Sequence, residues 1–229
     1  FLLLVLYIMT NKNKLIYINY LYKFSHILII MKYLFLDIEI APSEINNEDV
    51  KAYLMDKKIS KELRSLDPNY SKVIAVTLKL DDDVKTFYGE DEVKILNDVW
   101  NFIKENRAII VTHNGYKFDI PFLIIRSCVN NINVPLTVNT NPWNMLNSNH
   151  FDTMVFFSGF GSFTNPNLEI LAKINDIDVE GERISGIEIE KLYKQKDWDK
   201  IVMRCKQDVL ILEKVFNKLC KNYFEEHKR

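Results

Sequence analysis

From Met31 onward the chain alternates short apolar runs with longer stretches of helical period, the pattern of an α/β domain. KYLFLDIEI at 32–40 predicts a strand that is apolar on both faces at its start and acidic at its end. SKVIAVTLKL at 71–80 predicts a second strand, and the turn Asp81, Asp82, Asp83 followed by VKTFY at 84–88 predicts a hairpin. Residues 91–105 place Val93, Leu96, Val99, Trp100 and Ile103 at helical spacing, with acids in the first turn where the helix dipole favours them. RAIIVTH at 107–113 predicts another buried strand, ending in HNGYKFD. A helix follows from about Pro121, whose fixed φ suits a first turn, and Ile124, Ile125 and Cys128 continue its apolar side. Residues 130–149 are Asn-rich and aperiodic, a long loop. HFDTMVFF at 150–157 predicts a short strand or a strand-to-helix junction, NLEILAKI a helix, 176–190 an irregular stretch, and the rest a closing helix from about Asp197 to Tyr223.

The first thirty residues read differently. They contain no Asp or Glu, and their apolar run precedes Lys12 and Lys14, the reverse of the order in a secretory signal. The second apolar stretch is broken by Asn19, Tyr20, Lys23 and His26, where a membrane span needs about 20 nearly uninterrupted apolar residues. We expect native translation to start at Met31, with 1–30 a read-through leader or a weak apolar N-terminal segment, and 31–229 to form one domain without stable membrane association. Removing the leader's three lysines leaves 27 basic against 31 acidic residues, so the body is acidic although the whole chain carries only -1. That balance excludes indiscriminate binding of nucleic acid through phosphate neutralisation. Three scattered cysteines without a CxxC or Cys/His pattern point to a reducing compartment, and a cytoplasmic location is expected. Neither a GxSxG elbow nor a phosphate-binding glycine loop occurs, so neither a serine hydrolase nor a nucleotide cofactor is expected.

Four acids stand where acids are costly. Asp37 and Glu39 lie two apart on the first strand, so both leave the same face. Asp119 follows a turn after a different strand, and Asp208 lies within the apolar helix IVMRCKQDVLILEKVF. Each taken singly has an ordinary reading: solvated strand-end acids, a helix N-cap, a surface position. Together they sit in three local words, DIE, NGYKFD and RCKQDV.

In order and spacing those words resemble the three motifs of the DEDD, or DnaQ-like, 3′-to-5′ exonucleases, in particular the predicted exonucleases similar to the proofreading domain of family-B DNA polymerases. The resemblance extends to SKVIAVTL, FDIPFLIIR, HFDTM and NLEILAKINDID, and covers 32–216. It implies an RNase H-like fold, a mixed five-stranded sheet flanked by helices with its first strand central. It also implies that Asp37, Glu39, Asp119 and Asp208 hold two divalent ions, Mg²⁺ or Mn²⁺. The implied reaction releases nucleoside monophosphates from single-stranded DNA 3′ ends. An exoribonuclease and an impaired nucleic-acid-binding module are the alternatives.

One position departs from the family. Where a Tyr four residues before the last Asp, or a His five before it, resembles the group that handles the attacking water, this chain has Arg204 and Met203. A guanidinium is always protonated and cannot accept that proton. Arg204 is then a phosphate holder, or His113 or Tyr193 reaches in as the base, or the site binds without cutting. For the substrate, Asn114 of the second motif, Tyr116 as a stacking ring and Lys200 are the expected contacts. Lys200 belongs to a run of cations that includes Arg183, Lys191, Lys194, Lys196 and Lys206. Phe118 and Phe122 read as core, Trp143 as a further candidate for stacking, and Asp152 as a sheet-terminal acid that is not a fifth ligand.

Overall fold

The computed structural model describes residues 31–57, 65–135, 138, 148–179, 181 and 184–227. The chain divides at Met31, and the body from Lys32 onward carries the architecture described below. The leader, Trp143 and Arg183 lie outside the described residues.

Strand β1 (Tyr33–Pro42) is the centre of a five-stranded mixed sheet. It pairs antiparallel with β2 (Ser71–Leu80), which turns back into β3 (Asp83–Tyr88), and parallel with β4 (Ile109–Thr112), beside which β5 (His150–Asp152) also runs parallel. The spatial order is β3-β2-β1-β4-β5. This is the α/β mixed sheet expected from the sequence, with the first strand central.

Alternation along β1 sorts its side chains between two layers. Leu34, Leu36 and Ile38 enter a core closed by helix α2 (Glu92–Glu105) and helix α3 (Asp119–Val129). Tyr33 and Phe35 point to the other side, where they pack on Phe216 and, for Tyr33, Phe224. Asp37 and Glu39 continue that second face, which is covered by helix α7 (Trp198–Val215). A bulge sits beside them: Glu39 pairs with Ala75 but Ile40 with Val73, so β2 carries the extra residue. Ile74 and Ala75 consequently both join Ile189, Leu192 and Ile201 under the helices.

Helix α1 (Glu48–Asp56) was not apparent in the hydrophobic pattern, because Leu54 is its one buried side chain. It forms behind Asn47, whose side-chain oxygen accepts from the backbone N–H groups of Asp49 and Val50 at 2.9 and 3.1 Å. Helix α6 (Gly186–Gln195) replaces the end of the stretch expected to be irregular, started by a capping box between Ser185 and Glu188. Helix α3 starts at Asp119, two residues before Pro121; the third position tolerates proline since the first four N–H groups of a helix have no intrahelical acceptor. Two apolar stripes are also corrected. In α2, Val93 is exposed and Ile95 is buried; in α3, Ile125 and Cys128 face outward while Phe122 and Leu123 face the core.

Short helices α4 (Thr153–Phe157) and α5 (Leu168–Ile174) follow β5. The closing helix is longer than expected and is not uniform: α7 passes through a π-helical turn at Phe216–Cys220 into α8 (Lys221–His227). Among the described residues, no helix is long and apolar enough to cross a membrane.

Candidate active site

Three elements bring the four motif acids to one end of the sheet. Asp37 and Glu39 come from β1, Asp119 from the first turn of α3, and Asp208 from the third turn of α7. Glu39, Asp119 and Asp208 are 4%, 4% and 8% exposed, a degree of burial that carboxylates reach only when something compensates their charge. Burial first, then the charges of Asp208 and Asp119, hold the Asp37 carboxyl well above its ordinary range, with partial relief from Arg204 and the Cys205 thiol. Burial likewise pushes Asp119 up to about 7. Hydrogen bonds from its own backbone and from that of Ile38 pull against this, and the charges of Asp152 and Asp208 add to it.

Arg204 lies across this cluster. Its Nη1 donates to Oε1 of Glu39, its Nη2 stands 3.5 Å from Oδ2 of Asp208, and its Nε donates to the carbonyl of Ile184 at 2.8 Å. One guanidinium against four carboxylates leaves negative charge in excess. The donor set, carboxylate oxygens from rigid elements, suits a hard divalent cation such as Mg²⁺ or Mn²⁺. Asp37, Glu39 and Cys205 each place one possible ligand atom within 4.8 Å of the others. The Cys205 thiol, however, is raised well above its ordinary pKa by burial and by Asp37, and it donates toward the Asp37 carbonyl at 3.4 Å and carboxylate at 3.6 Å. It is a neutral donor that steadies Asp37, since a thiolate is what binds metal. Its position three residues before Asp208, on the same helix face, was the signal available in the sequence.

The turn HNGYKFD is shaped to deliver Asp119. Asn114 adopts a left-handed φ of 76°, and Gly115 lies so close to Thr112 that a Cβ there would stand 2.3 Å from Oγ1. Asp152 holds the turn from below. Its carboxylate accepts from the backbone N–H groups of Asn114 and Tyr116, both at 2.9 Å, and from Met154 and Val155 at the start of α4. It therefore ends the sheet and braces the second motif, in the role read for it from the sequence.

Tyr116 requires a correction. It is 5% exposed, its hydroxyl donates to the His150 carbonyl at 2.6 Å, and its ring lies 4.1 Å from that of His150, so it is packed under the turn and offers no face to a base. Phe122 is core and Phe118 packs on it at 5.6 Å, as expected. His113 is also committed. Its Nε2 faces the Pro166 carbonyl at 2.9 Å and must donate there, and its Nδ1 lies 2.8 Å from the Thr153 hydroxyl, which also reaches the Thr112 carbonyl at 3.0 Å, while burial lowers its pKa. Tyr193 packs against Trp198 with Lys72 over its ring.

Asn114 lines a cleft of about 240 Å³ together with Lys117, Met154, Val155, Ser158, Phe160, Gly161 and Asn165. Lys117 is exposed and Phe160 is 44% exposed. Phe160 lies between Gly159 and Gly161 in the loop that follows α4. Of the cation run before the third motif, Lys194 pairs with Glu190, Lys196 with Glu90 and Lys200 with Asp197, at 2.6, 2.7 and 3.1 Å. These pairs are exposed and screened by water and salt, so each holds its lysine only weakly.

Residues 66–222 match the family described as "Predicted 3'-5' exonuclease related to the exonuclease domain of PolB". No curated protein matches the chain. Among solved structures, the family B DNA polymerase from the hyperthermophilic archaeon Pyrobaculum calidifontis is similar, with a TM-score of 0.63 at 18% identity. The alignment covers 86% of this chain and 26% of the polymerase, so the likeness is one of fold over about a quarter of that enzyme.

Proposed function

The chain belongs to the predicted 3′-5′ exonucleases related to the exonuclease domain of PolB, and from that premise we propose that it hydrolyses single-stranded DNA from the 3′ end, releasing nucleoside monophosphates. The observation that carries the reading is the convergence of Asp37, Glu39, Asp119 and Asp208 from three elements, with more negative charge than Arg204 offsets. These carboxylates would hold Mg²⁺ or Mn²⁺, which when bound lowers the pKa of a water and stabilises charge on the leaving 3′-oxygen. The chain's own part is to hold those acids at fixed positions and to orient the strand. Asn114 and Lys117 meet the backbone at the cleft, Phe160 takes the stacking role first expected of Tyr116, and Lys200 attracts phosphate at the start of α7. The domain spans 31–229 and acts in the cytoplasm.

A strand-binding module with little or no cleavage is the second reading, favoured by one observation: Arg204 contacts two of the four acids and cannot act as a base. Digestion of matched 5′-labelled DNA and RNA oligonucleotides with Mn²⁺ tests both readings. Stepwise shortening of DNA that disappears in Asp37→Ala supports the proposal, and preference for RNA changes the substrate to RNA. Shortening that persists in Asp37→Ala rejects the metal assignment. Binding without shortening, converted to shortening by Arg204→Tyr, establishes the second reading.

A further inference from the structure

Arg204 is held on three sides, and its three contacts do different work. The Ile184 carbonyl fixes the plane of the guanidinium, and the two terminal nitrogens address Glu39 on β1 and Asp208 on its own helix α7. The three side chains are 18%, 6% and 11% exposed, so the contact is shielded from water and from salt. Asp37 and Asp119 receive a different kind of support: a thiol donates to Asp37 and the backbone of Ile38 to Asp119, and neither donor carries charge. The site is thus divided into a half whose two acids share the contacts of one built-in cation and a half, Asp37 and Asp119, whose contacting donors are neutral and which feels Arg204 only through its charge on Asp37.

We propose that Arg204 takes the place of one of the two divalent ions this kind of site holds, so that the domain binds a single divalent ion on the Asp37 and Asp119 side. The proposal rests on the exonuclease reading above and specifies its metal content. With all four acids ionised, one guanidinium leaves three negative charges, which one divalent ion reduces to one. A second ion would make the buried cluster net positive and set a dication against a guanidinium a few ångströms away in a medium that screens poorly. Expelling Arg204 instead would break three contacts and leave a permanently charged group to be rehoused. A tyrosine at this position is neutral and presents neither obstacle.

The test counts Mn²⁺ on the full chain by calorimetric titration and by electron paramagnetic resonance, where an isolated ion and a coupled pair give different spectra. One ion is expected in the parent and in Arg204→Lys, which keeps the charge, and two in Arg204→Met, which removes it at similar length. Without metal, Arg204→Met should melt below the parent and regain that loss when Mn²⁺ is added. Two ions in the parent overturn the proposal and leave the exonuclease reading intact; one ion in all three proteins also overturns it. No ion in any of them overturns the exonuclease reading together with the proposal. Should Arg204→Met fail to fold, the parent count and the shape of its spectrum decide the matter alone.

Discussion

Two partly buried arginines, Arg126 and Arg204, each pair with buried acids of this domain, and their surroundings are opposite in kind. At the first, Glu92 accepts from the Val73 backbone and Arg126 Nε through one oxygen, at 2.8 and 2.9 Å, and from Arg126 Nη2 and Asn130 through the other, at 2.7 and 3.1 Å. Arg126 Nη1 donates to the Pro68 carbonyl at 2.9 Å. One carboxylate meets one guanidinium, both carboxylate oxygens are engaged, and the pair ties α2, α3 and β2 together. At the second, Arg204 meets Glu39 and Asp208 while Asp37 and Asp119 stand nearby with raised pKa values. A buried ion pair that closes on itself is structural, whereas one that leaves charge over is a place for something else to bind.

The sharpest way to break this comparison is to remove one acid from each. Glu92→Ala strands Arg126 in the interior and should cost about 3–5 kcal/mol of stability, with or without Mn²⁺, measured by chemical denaturation. A denaturation midpoint that does not move would deny the pair its structural role. Asp37→Asn should do the reverse. Removing a charge that its neighbours repel should leave the metal-free protein at least as stable as the parent, while nucleotide release falls by roughly 10²–10³-fold, the scale for loss of one preorganised group that stabilises charge in the transition state. A loss of stability matching that of Glu92→Ala would make the second cluster merely another structural pair.

The same contrast explains what was legible in the sequence. The sheet was readable because Leu34, Leu36 and Ile38 alternate with Phe35, Asp37 and Glu39, a period that only a strand satisfies. The acids were readable because three short words preserve their order. Helix α1 was not, since it buries only Leu54 and relies on capping at Asn47, and the start of α6 was not, since it is set by the capping box of Ser185 and Glu188 although Ile189, Leu192 and Tyr193 keep a helical period. Nor was the Arg126 partnership, which joins residues 34 apart, or the contact between Arg204 and Glu39, which joins residues 165 apart. Long-range pairs leave no local pattern, so the spacing of four between Arg204 and Asp208 was readable on one helix while the contact that makes Arg204 a counter-ion to Glu39 was not. Tyr116 shows the converse error: a polar aromatic in a turn looks exposed until the fold shows how tightly Asp152 and His150 draw that turn in.

A smaller effect concerns pH. Asp119 has its carboxyl raised from 3.8 to about 7, first by burial. Between those values the folded chain keeps a proton that the unfolded chain has released, so stability of the metal-free protein falls as pH rises through this window. Thermal unfolding in chelator at about pH 5 and about pH 8 should show the parent losing stability across the interval. Asp119→Asn, which cannot ionise, should lose less. Parallel behaviour of the two proteins would remove Asp119 from the strained set and reduce the contrast with the Glu92 pair.

The smallest effect lies outside both clusters, at the cleft that Asn114 shares with Phe160. A half-exposed ring beside an exposed lysine offers a base one face to stack on and its phosphate one charge to meet, and each such stack is worth about 1–3 kcal/mol. Phe160→Ala should therefore weaken binding of a short single strand by about 5- to 150-fold, read by fluorescence anisotropy in the presence of metal, and Phe160→Trp should retain it. Stability should barely change, because the ring is 44% exposed. Equal affinity in all three proteins would move the strand away from this cleft and leave the four acids without a neighbouring contact for the base.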